Sequence, residues 1–405
     1  MSIRTTRALV RTLSAVGVAS ALSAGMATAY AADTVKVGIM MGFTGPIESL
    51  TPPMAAGAEA AFAEANESGN LLDGTQIESV RADSTCVDAG AATAAAERLV
   101  TSDNIVAMVG ADCSGVTIAT VNNVAVANGL AMVSPSATSP ALTSIEDGGL
   151  FFRTAPSDAR QGQVLSDILN DRDVKSVAVT YTNNDYGKGL ADAFESAYVA
   201  SGGKVEIVAA HEDGKADYTA EVAALSASGA SDLVVLGYVD QGGRGIIQAS
   251  LDTDAFENYY GGDGMVGNSI IEALGDGVEG MVTSLPGIDS PGSQAFPAIM
   301  EAAGIEVGPF VPESYDAAAL IILAMQKAGS TERGAIAGAI LDVANGPGEP
   351  ILPGEIAKGL KILAEGGEVD YVGASAVELS DVGDTAGSYK EQVISGGEYE
   401  VVGYR

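Results

Sequence analysis

The chain has 405 residues, with 20 Lys and Arg against 53 Asp and Glu, so its formal net charge at pH 7 is −33. Nucleic acids and anionic membranes are bound through clustered positive charge, so neither is expected as a partner of so acidic a protein. The length is sufficient for two domains of ordinary size. We interpret the excess carboxylates as a solvated acidic surface, with attraction of cationic ligands as the alternative.

The first 31 residues have the organisation of a secretory signal peptide. Three arginines lie within the first eleven residues, an apolar run follows at 13–26, and small residues flank a spacer in Ala29-Tyr30-Ala31. We therefore predict cleavage after Ala31 and a location in the periplasm. A membrane anchor is the alternative, but the run is short for the ~30 Å of hydrocarbon in a bilayer. No cysteine lies near this site to carry a lipid anchor.

Cys86 and Cys113 are the only cysteines in the chain. In an oxidising compartment a single pair usually forms a disulfide, and closing a loop of about 28 residues contributes about 3.5 kcal/mol in the chain-entropy model. Two cysteines and one histidine do not complete a usual zinc shell, so we expect neither a metal site nor a cofactor.

Short apolar runs alternate with helical stretches along the mature chain. In the first half we predict strands at 35–41, 76–81, 105–109 and 130–133, and helices at 52–67, 89–101 and 116–127. The pattern restarts after 151–153, with strands at 174–180, 205–210, 233–236 and 259–260, and helices at 188–201, 217–228 and about 243–251. A mainly helical block follows at 292–364, and the tail at 374–404 alternates as antiparallel strands do.

Continuous apolar strands separated by amphipathic helices are typical of a parallel sheet covered on both faces. The fold class predicted is therefore α/β, with two doubly wound, Rossmann-like units. Ligands of such units bind at the carboxyl ends of the strands.

Catalysis is disfavoured because His211 is the only histidine, and any Ser-His-Asp or Cys-His device would have to use it. His211 ends a predicted strand and is interpreted as a solvated turn residue. The glycines at 261–264 lack the GxGxxG spacing of a dinucleotide loop, and no GxxxxGK[ST] segment is present. We therefore predict a binding protein and no enzymatic activity.

Hydroxyl groups follow two neighbouring strands of the first half. Ser114 comes just after one strand, at the start of a predicted helix, where a hydroxyl and free N–H groups can hold a carboxylate; simple N-capping by Ser114 is the alternative. The next strand ends in Ser134 to Thr138, which includes Ser136. Because adjacent parallel strands bring these loops together, the sequence predicts a binding site here.

The second half offers Tyr186, Tyr238 and Asp263, each just after a predicted strand. Taken singly, each is more often a surface tyrosine or a turn aspartate. Together, two phenols and a carboxylate form a second wall that can cover an apolar side chain and pair an ammonium group.

These segments together resemble the leucine/isoleucine/valine-binding proteins of bacterial ABC transporters, which have the type I periplasmic binding fold. The resemblance covers nearly the whole mature chain. The matching pieces are, in order, Val37-Gly38, Thr44-Gly45-Pro46, Asp83-Ser84-Thr85-Cys86, 110–114, 134–138, 186–189, Glu279-Gly280 and Tyr315-Asp316-Ala317.

The resemblance implies a disulfide between Cys86 and Cys113 and two interleaved lobes joined by three crossovers near residues 155, 286 and 373. After the signal peptide at 1–31, lobe 1 takes segments 32–155 and 287–373, and lobe 2 takes 156–286 and 374–405. The implied partners are a small amino-acid-like ligand and an ABC permease of the inner membrane, and the protein is expected to be a monomer.

The resemblance also assigns roles to the site residues. Ser114 and Thr138 hold the α-carboxylate of the ligand. The Ser136 carbonyl, the Thr138 hydroxyl and an acidic residue hold its α-ammonium, while Tyr186 and Tyr238 close from the second lobe.

Two positions depart from the family's pattern. The acidic residue is Asp263 rather than glutamate, and Glu48-Ser49-Leu50 stands where an aromatic often covers the ligand. A branched-chain amino acid is the first expectation, with another amino acid or a small amide or carboxylate as alternatives. A sensor of the same fold is a further alternative.

Overall fold

The computed structural model describes residues 33–405, so the predicted signal peptide and its cleavage site lie outside the described residues. The strands are β1 (Thr34–Met41), β2 (Gln76–Asp83), β3 (Ala107–Gly110), β4 (Ala131–Ser134), β5 (Phe151–Arg153), β6 (Ser176–Thr182), β7 (Lys204–His211), β8 (Asp232–Leu236), β9 (Asn258–Gly261), β10 (Val282–Pro286), β11 (Glu349–Ile351), β12 (Val369–Tyr371), β13 (Tyr389–Ser395) and β14 (Glu398–Tyr404).

The α-helices are α1 (Thr51–Ser68), α2 (Ala89–Thr101), α3 (Ser114–Thr120), α4 (Val126–Asn128), α5 (Asp158–Asp171), α6 (Asp185–Ala200), α7 (Thr219–Ser226), α8 (Gly242–Asp252), α9 (Asn268–Leu274), α10 (Pro291–Ala302), α11 (Val311–Ala328), α12 (Arg333–Ala344) and α13 (Ile356–Ala364). A π-helical segment, Val121–Ala125, joins α3 to α4.

The first sheet has five parallel strands in the order β2-β1-β3-β4-β5. Its central strands β3 and β4 are buried along their whole length, as expected when helices cover both faces. Part of that cover comes from far along the chain, because α11 packs against α1 and against β3 and β4. We call the layers built on this sheet the first lobe.

The second sheet has seven strands in the order β14-β13-β10-β9-β8-β6-β7. Strands β6 to β10 run parallel, whereas β13 pairs antiparallel with both β10 and β14. The antiparallel tail predicted from the sequence is therefore an extension of this sheet. We call the layers built on it the second lobe.

Several elements were not predicted individually, among them β5, α5 and α9. Strand β5 is only three residues long, and we read 151–153 as a boundary. Helix α5 begins after Ser157, whose hydroxyl accepts from the Ala159 N–H at 3.3 Å. Its apolar residues form a short stripe among many polar ones, so it lacks the strong apolar run on which the other helices were recognised.

The predicted disulfide between Cys86 and Cys113 is present, with Cα atoms 5.1 Å apart. It joins the loop after β2 to the loop after β3, although β1 lies between these strands in the sheet. The bridge thus ties together two loops at the carboxyl edge of the first sheet. Within residues 33–405, no helix combines the length and the apolar character needed to cross a bilayer.

Candidate functional site

The carboxyl ends of the two sheets face each other across a closed cleft that contains a cavity of about 20 Å³, enough for about one water molecule. Five of the six predicted ligand-binding residues line it; the sixth, Thr138, is fully buried in the loop next to Ser136. The lining residues are Ile47, Leu50, Asp112, Cys113, Ser114, Ser136, Tyr186, Tyr238, Asp263, Gly264 and Phe310.

Asp112 organises the loops on the first-lobe side. Its carboxylate accepts from the Gly42 N–H at 2.6 Å and from the Ser84 hydroxyl at 2.9 Å, so it joins the loops after β1, β2 and β3. Burial raises the pKa of Asp112, and these hydrogen bonds lower it. The side chain is therefore committed to holding the loops that carry the site.

Ser114 is the first residue of α3 rather than its N-cap. The N-cap is Cys113, which makes no side-chain capping bond, so the alternative of N-capping by Ser114 is wrong. The Ser114 hydroxyl instead accepts from the Ser139 N–H at 3.1 Å. Since a hydroxyl both accepts and donates, its hydrogen remains available toward the cleft.

Thr138 lies in a loop whose other hydroxyls are all engaged. Ser134 donates to the Ala111 carbonyl at 2.5 Å and accepts from the Ala137 N–H at 3.0 Å, while Ser136 donates to the Asp112 carbonyl at 3.0 Å. The Thr138 hydroxyl is buried and makes no hydrogen bond. A buried polar group without a partner costs about 1–3 kcal/mol, so this hydroxyl is available to a ligand.

Arg153, which the sequence reading passed over, fixes this loop. Its buried guanidinium donates to the carbonyls of Ala137 and Ser139, at 3.2 and 3.0 Å, on either side of Thr138. It also forms a bidentate pair with Asp384, at 2.7 and 2.9 Å. The charge of Arg153 is thus used to position Thr138 rather than to meet a ligand.

On the second-lobe side, Asp263 carries one engaged and one free carboxyl oxygen. Its Oδ1 accepts from the Tyr186 hydroxyl at 2.7 Å and from the Gly264 N–H at 2.8 Å. Its Oδ2 is buried without a partner, and burial raises the pKa of Asp263 to about 6. This carboxyl is oriented by its neighbours and presents one unpaired oxygen.

The two predicted tyrosines form one aromatic wall. The rings of Tyr186 and Tyr238 stack with centroids 5.2 Å apart and an angle of 19° between their planes. Asn184 links them, because its Oδ1 caps α6 by accepting from the Gly187 N–H at 3.0 Å while its amide donates to the Tyr238 hydroxyl at 3.3 Å. The helix start therefore sets the positions of both phenols.

Asp158 is a second acidic residue that the sequence reading missed. It is the first residue of α5, is fully buried, and has no hydrogen-bond partner for either carboxyl oxygen. Burial raises the pKa of Asp158 well above its ordinary value, and the charge of Asp263 raises it further. The Thr138 hydroxyl lies close enough to lower this pKa, although the two groups do not form a hydrogen bond of good geometry. Asp158, Asp263 and Thr138 thus form one buried cluster with unpaired oxygens.

The comparisons with known proteins bear directly on this arrangement. Residues 34–348 match the sequence profile of the family described as periplasmic binding protein. The chain belongs to this family. Its resemblance to the leucine/isoleucine/valine-binding proteins, inferred from the sequence, is confirmed by its relatives.

Two curated relatives and one solved structure illustrate the likeness. The chain is 32% identical over 343 residues to the leucine-, isoleucine-, valine-, threonine- and alanine-binding protein of Pseudomonas aeruginosa, covering 83% of this chain and 88% of that protein. It is 31% identical to Leu/Ile/Val-binding protein homolog 3 of Brucella melitensis, covering 87% and 93%. The crystal structure of a leucine-binding protein from Thermotoga maritima superposes with a TM-score of 0.77 at 22% identity, covering 91% and 98%.

The predicted fold class, two Rossmann-like α/β units of the type I periplasmic binding protein, is confirmed by this structural likeness. Family membership indicates a periplasmic location and a solute-binding role. The relatives named here are binding proteins rather than enzymes.

The apolar part of this binding protein's cavity comes from Ile47, Leu50 and Phe310. Of the three residues at 48–50 that depart from the family's pattern, Leu50 lines the cavity. Its side chain packs closely on Gly267 of the second lobe, since a β-carbon added at Gly267 would lie 3.0 Å from Leu50 Cδ2. Phe310, which caps α11 with φ of 60°, was not predicted. Its sequence context, a Pro-Phe before a helix, gives no sign that the ring faces a ligand site.

His211 was predicted to be a solvated turn residue, and this is wrong. It is the last residue of β7, is 1% exposed, and its Nδ1 lies 2.8 Å from the Thr180 hydroxyl. Burial lowers the pKa of His211 to about 4, so the ring is neutral at pH 7. No group of three or more His, Cys, Asp or Glu side chains suited to a metal occurs within residues 33–405.

Proposed function

We propose that this protein is the periplasmic solute-binding component of an ABC importer, that it captures a small apolar α-amino acid, and that it performs no chemistry on it. The observation that carries the proposal is the buried cluster of Asp158, Asp263 and Thr138, with four oxygens that lack hydrogen-bond partners. The names of its relatives support leucine, isoleucine and valine as the first ligands to test.

The carboxylate of the ligand is assigned to the first lobe. The Ser114 hydroxyl keeps a free hydrogen, and the N–H groups of the first turn of α3 have no intrahelical acceptor. Both kinds of donor strengthen when the acceptor is charged. The Cys86–Cys113 bridge supports this assignment, because it fixes the residue that precedes Ser114.

The ammonium of the ligand is assigned to the acidic cluster. An ammonium group has three N–H donors, and the free oxygens of Asp158, Asp263 and Thr138 supply acceptors for all of them. The Ser136 carbonyl is the remaining acceptor that we assign to this end. The positive charge of Arg153 lowers the pKa of Asp158, and it is balanced by the ion pair of Arg153 with Asp384.

The side chain of the ligand is assigned to the region lined by Ile47, Leu50 and Phe310, under the stacked rings of Tyr186 and Tyr238. The cavity there is about 20 Å³, so these walls must move apart to admit a side chain. These walls are aliphatic or aromatic, so they favour an apolar side chain. The departure at Leu50 removes an aromatic cover but keeps the wall apolar.

Binding is proposed to proceed by hinge closure. The chain would cross between the lobes near residues 155, 286 and 373, so that segments 32–155 and 287–373 form one rigid lobe and 156–286 and 374–405 the other. The distribution of strands between the two sheets supports this division. The closed monomer would then be the form that an inner-membrane permease recognises.

A thermal-shift screen tests the proposal most directly, because a ligand at 100 times its Kd stabilises the fold by about 2.7 kcal/mol. We expect leucine, isoleucine or valine to raise Tm. The matched controls are 4-methylpentanoate and 3-methylbutylamine, which keep the leucine side chain but lack the ammonium or the carboxylate. If neither analogue raises Tm, the result supports a site that binds both the carboxylate and the ammonium of the ligand. If no amino acid raises Tm, the proposed ligand class is contradicted.

A second candidate is a small amide or carboxylate without an ammonium. The observation that favours it is the raised pKa of both Asp158 and Asp263, because a protonated carboxyl donates a hydrogen bond to the oxygen of an amide or carboxylate. In that case 4-methylpentanoate, or its amide, would raise Tm more than leucine.

A further inference from the structure

A set of hydrogen bonds joins the two lobes at the rim of the cleft, outside the cavity. The Ser49 N–H in the β1–α1 loop donates to Asp240 Oδ2 at 2.8 Å, and the Asp240 N–H donates back to the Pro46 carbonyl at 3.0 Å. Asp240 follows β8 in the second lobe, so both bonds cross the cleft. The two loops are therefore paired reciprocally, as neighbouring strands are.

The second carboxyl oxygen of Asp240 extends this contact. The Ser269 hydroxyl donates to Asp240 Oδ1 at 2.5 Å, and the Ser49 hydroxyl donates to Ser269 Oγ at 3.4 Å. Arg244 donates to the Asp240 carbonyl at 2.7 Å and steadies the loop from α8. Asp240 thus uses its N–H, its carbonyl and both carboxyl oxygens.

The contact adjoins the proposed ligand site without belonging to it. Ser49, Asp240 and Ser269 are absent from the cavity lining, yet the same loops carry Leu50 on one side and Tyr238 on the other. Leu50 forms the apolar wall, and Tyr238 forms half of the aromatic cover. Any movement that parts Ser49 from Asp240 therefore moves both walls away from the ligand.

We propose that Asp240 is a positioning residue for ligand capture: it latches the 46–50 loop to the second lobe and slows ligand release. This inference rests on the proposed closure around a ligand, since a latch acts only on lobes that open. The Asp240 carboxylate accepts hydrogen bonds from neutral donors at the accessible rim of the cleft, so Asp240 stabilises the closed form without a desolvated ion pair. Removing it should raise the dissociation rate about tenfold and leave the association rate within about twofold.

The first test compares Asp240→Ala with Glu48→Gln, which removes a carboxylate from the exposed end of the same loop. The chain has no Trp, so stopped-flow tyrosine fluorescence can report the binding of leucine directly. We expect faster dissociation for Asp240→Ala, partial recovery for Asp240→Asn, and wild-type rates for Glu48→Gln. An unchanged dissociation rate overturns the latch, and so does an equal loss of Tm with and without ligand.

A cross-link tests the same contact independently of Asp240. In a Ser49→Cys/Ser269→Cys double variant the two thiols replace hydroxyls that lie 3.4 Å apart, so oxidation should join the lobes and block exchange of leucine. The single variants serve as controls, and mild reduction that spares Cys86–Cys113 should restore exchange. Thiols that stay free overturn the latch. Cross-linking together with no amino-acid binding by the reduced protein contradicts the proposed function and leaves the contact intact.

Discussion

Lowering the pH from 7 to 5 should weaken the binding of an amino acid because it protonates the acidic cluster. Asp263 and Asp158 are both buried, and their unpaired oxygens are the acceptors proposed for the ammonium. Around them lie Thr138, whose hydroxyl is free, and Tyr186, which already donates to Asp263. A proton on either carboxyl would occupy the place of the ligand's N–H donors.

The direction and size of the change in Kd follow from the pKa of Asp263, which burial raises from 3.8 to about 6. With that pKa the carboxyl is about nine-tenths protonated at pH 5 and about one-tenth protonated at pH 7. Since the ligand binds the ionised form, Kd should be about tenfold higher at pH 5, a difference of about 1.4 kcal/mol. The raised pKa of Asp158 acts in the same direction.

Isothermal titration calorimetry of leucine binding in buffers with different heats of ionisation measures the released protons as well as Kd. At pH 6 we expect release of about half a proton for each ligand bound. Asp263→Asn should weaken binding at pH 7 and flatten its pH dependence. Glu48→Gln, which removes an exposed carboxylate near the cavity, should behave as the wild type.

A Kd for leucine that is constant between pH 5 and pH 7, with no proton released, would refute the assignment of the ammonium to this cluster. Tighter binding of 4-methylpentanoate or its amide as the pH decreases would favour the second candidate function, because a protonated carboxyl donates a hydrogen bond to a ligand without an ammonium.

Three further predictions concern the supports of the site. Asp384→Ala leaves the Arg153 guanidinium buried without a counterion, so urea unfolding should show a loss of about 3–5 kcal/mol that exposed Asp381→Ala does not. His211, with a pKa lowered to about 4, stabilises the fold above its unfolded pKa of about 6.5; that contribution, about 3 kcal/mol, should disappear as the pH falls to 4. Wild type should therefore lose more stability than His211→Gln over this range, and equal losses would contradict the burial argument. Leu50→Ala shortens the apolar wall and enlarges the space beside it, so calorimetry should show phenylalanine gaining affinity relative to valine. An unchanged ratio of the two affinities would place the ligand side chain elsewhere.

Most of the site was predictable from the sequence because parallel strands have a fixed direction. Ser114, Ser136 and Thr138 follow adjacent strands of one sheet, and Tyr238 and Asp263 follow adjacent strands of the other. Once each strand was recognised by its apolar run, the loops at its carboxyl end had to meet. The same reasoning predicted the parallel sheets, whereas the two interleaved lobes were implied by the family resemblance.

The residues that were missed depend on contacts far apart in the chain. Arg153 positions Thr138 through the carbonyls on either side of it, and its own charge is balanced by Asp384, 231 residues away. No local pattern marks either residue. Asp158 resembles an ordinary acidic residue in the first turn of a helix, a position that such residues favour. Its burial follows from the packing of α5 against α6, β10 and β13, which periodicity does not encode. His211 was misplaced for the same reason, because the strand end that carries it is covered by neighbouring loops.

The acidic cluster and the rim contact act on different steps of capture. Holding Asp263 ionised in the closed cleft at pH 7 costs about 3 kcal/mol, because burial raises its pKa from 3.8 to about 6, and we expect the ammonium of a ligand to remove that cost. The cluster therefore penalises closure around water or around a ligand that lacks a positive charge. The contact of Asp240 with Ser49 is available to every closed form, because it touches no part of the cavity. We therefore expect selectivity to depend on Asp158 and Asp263, and the lifetime of the complex to depend on Asp240.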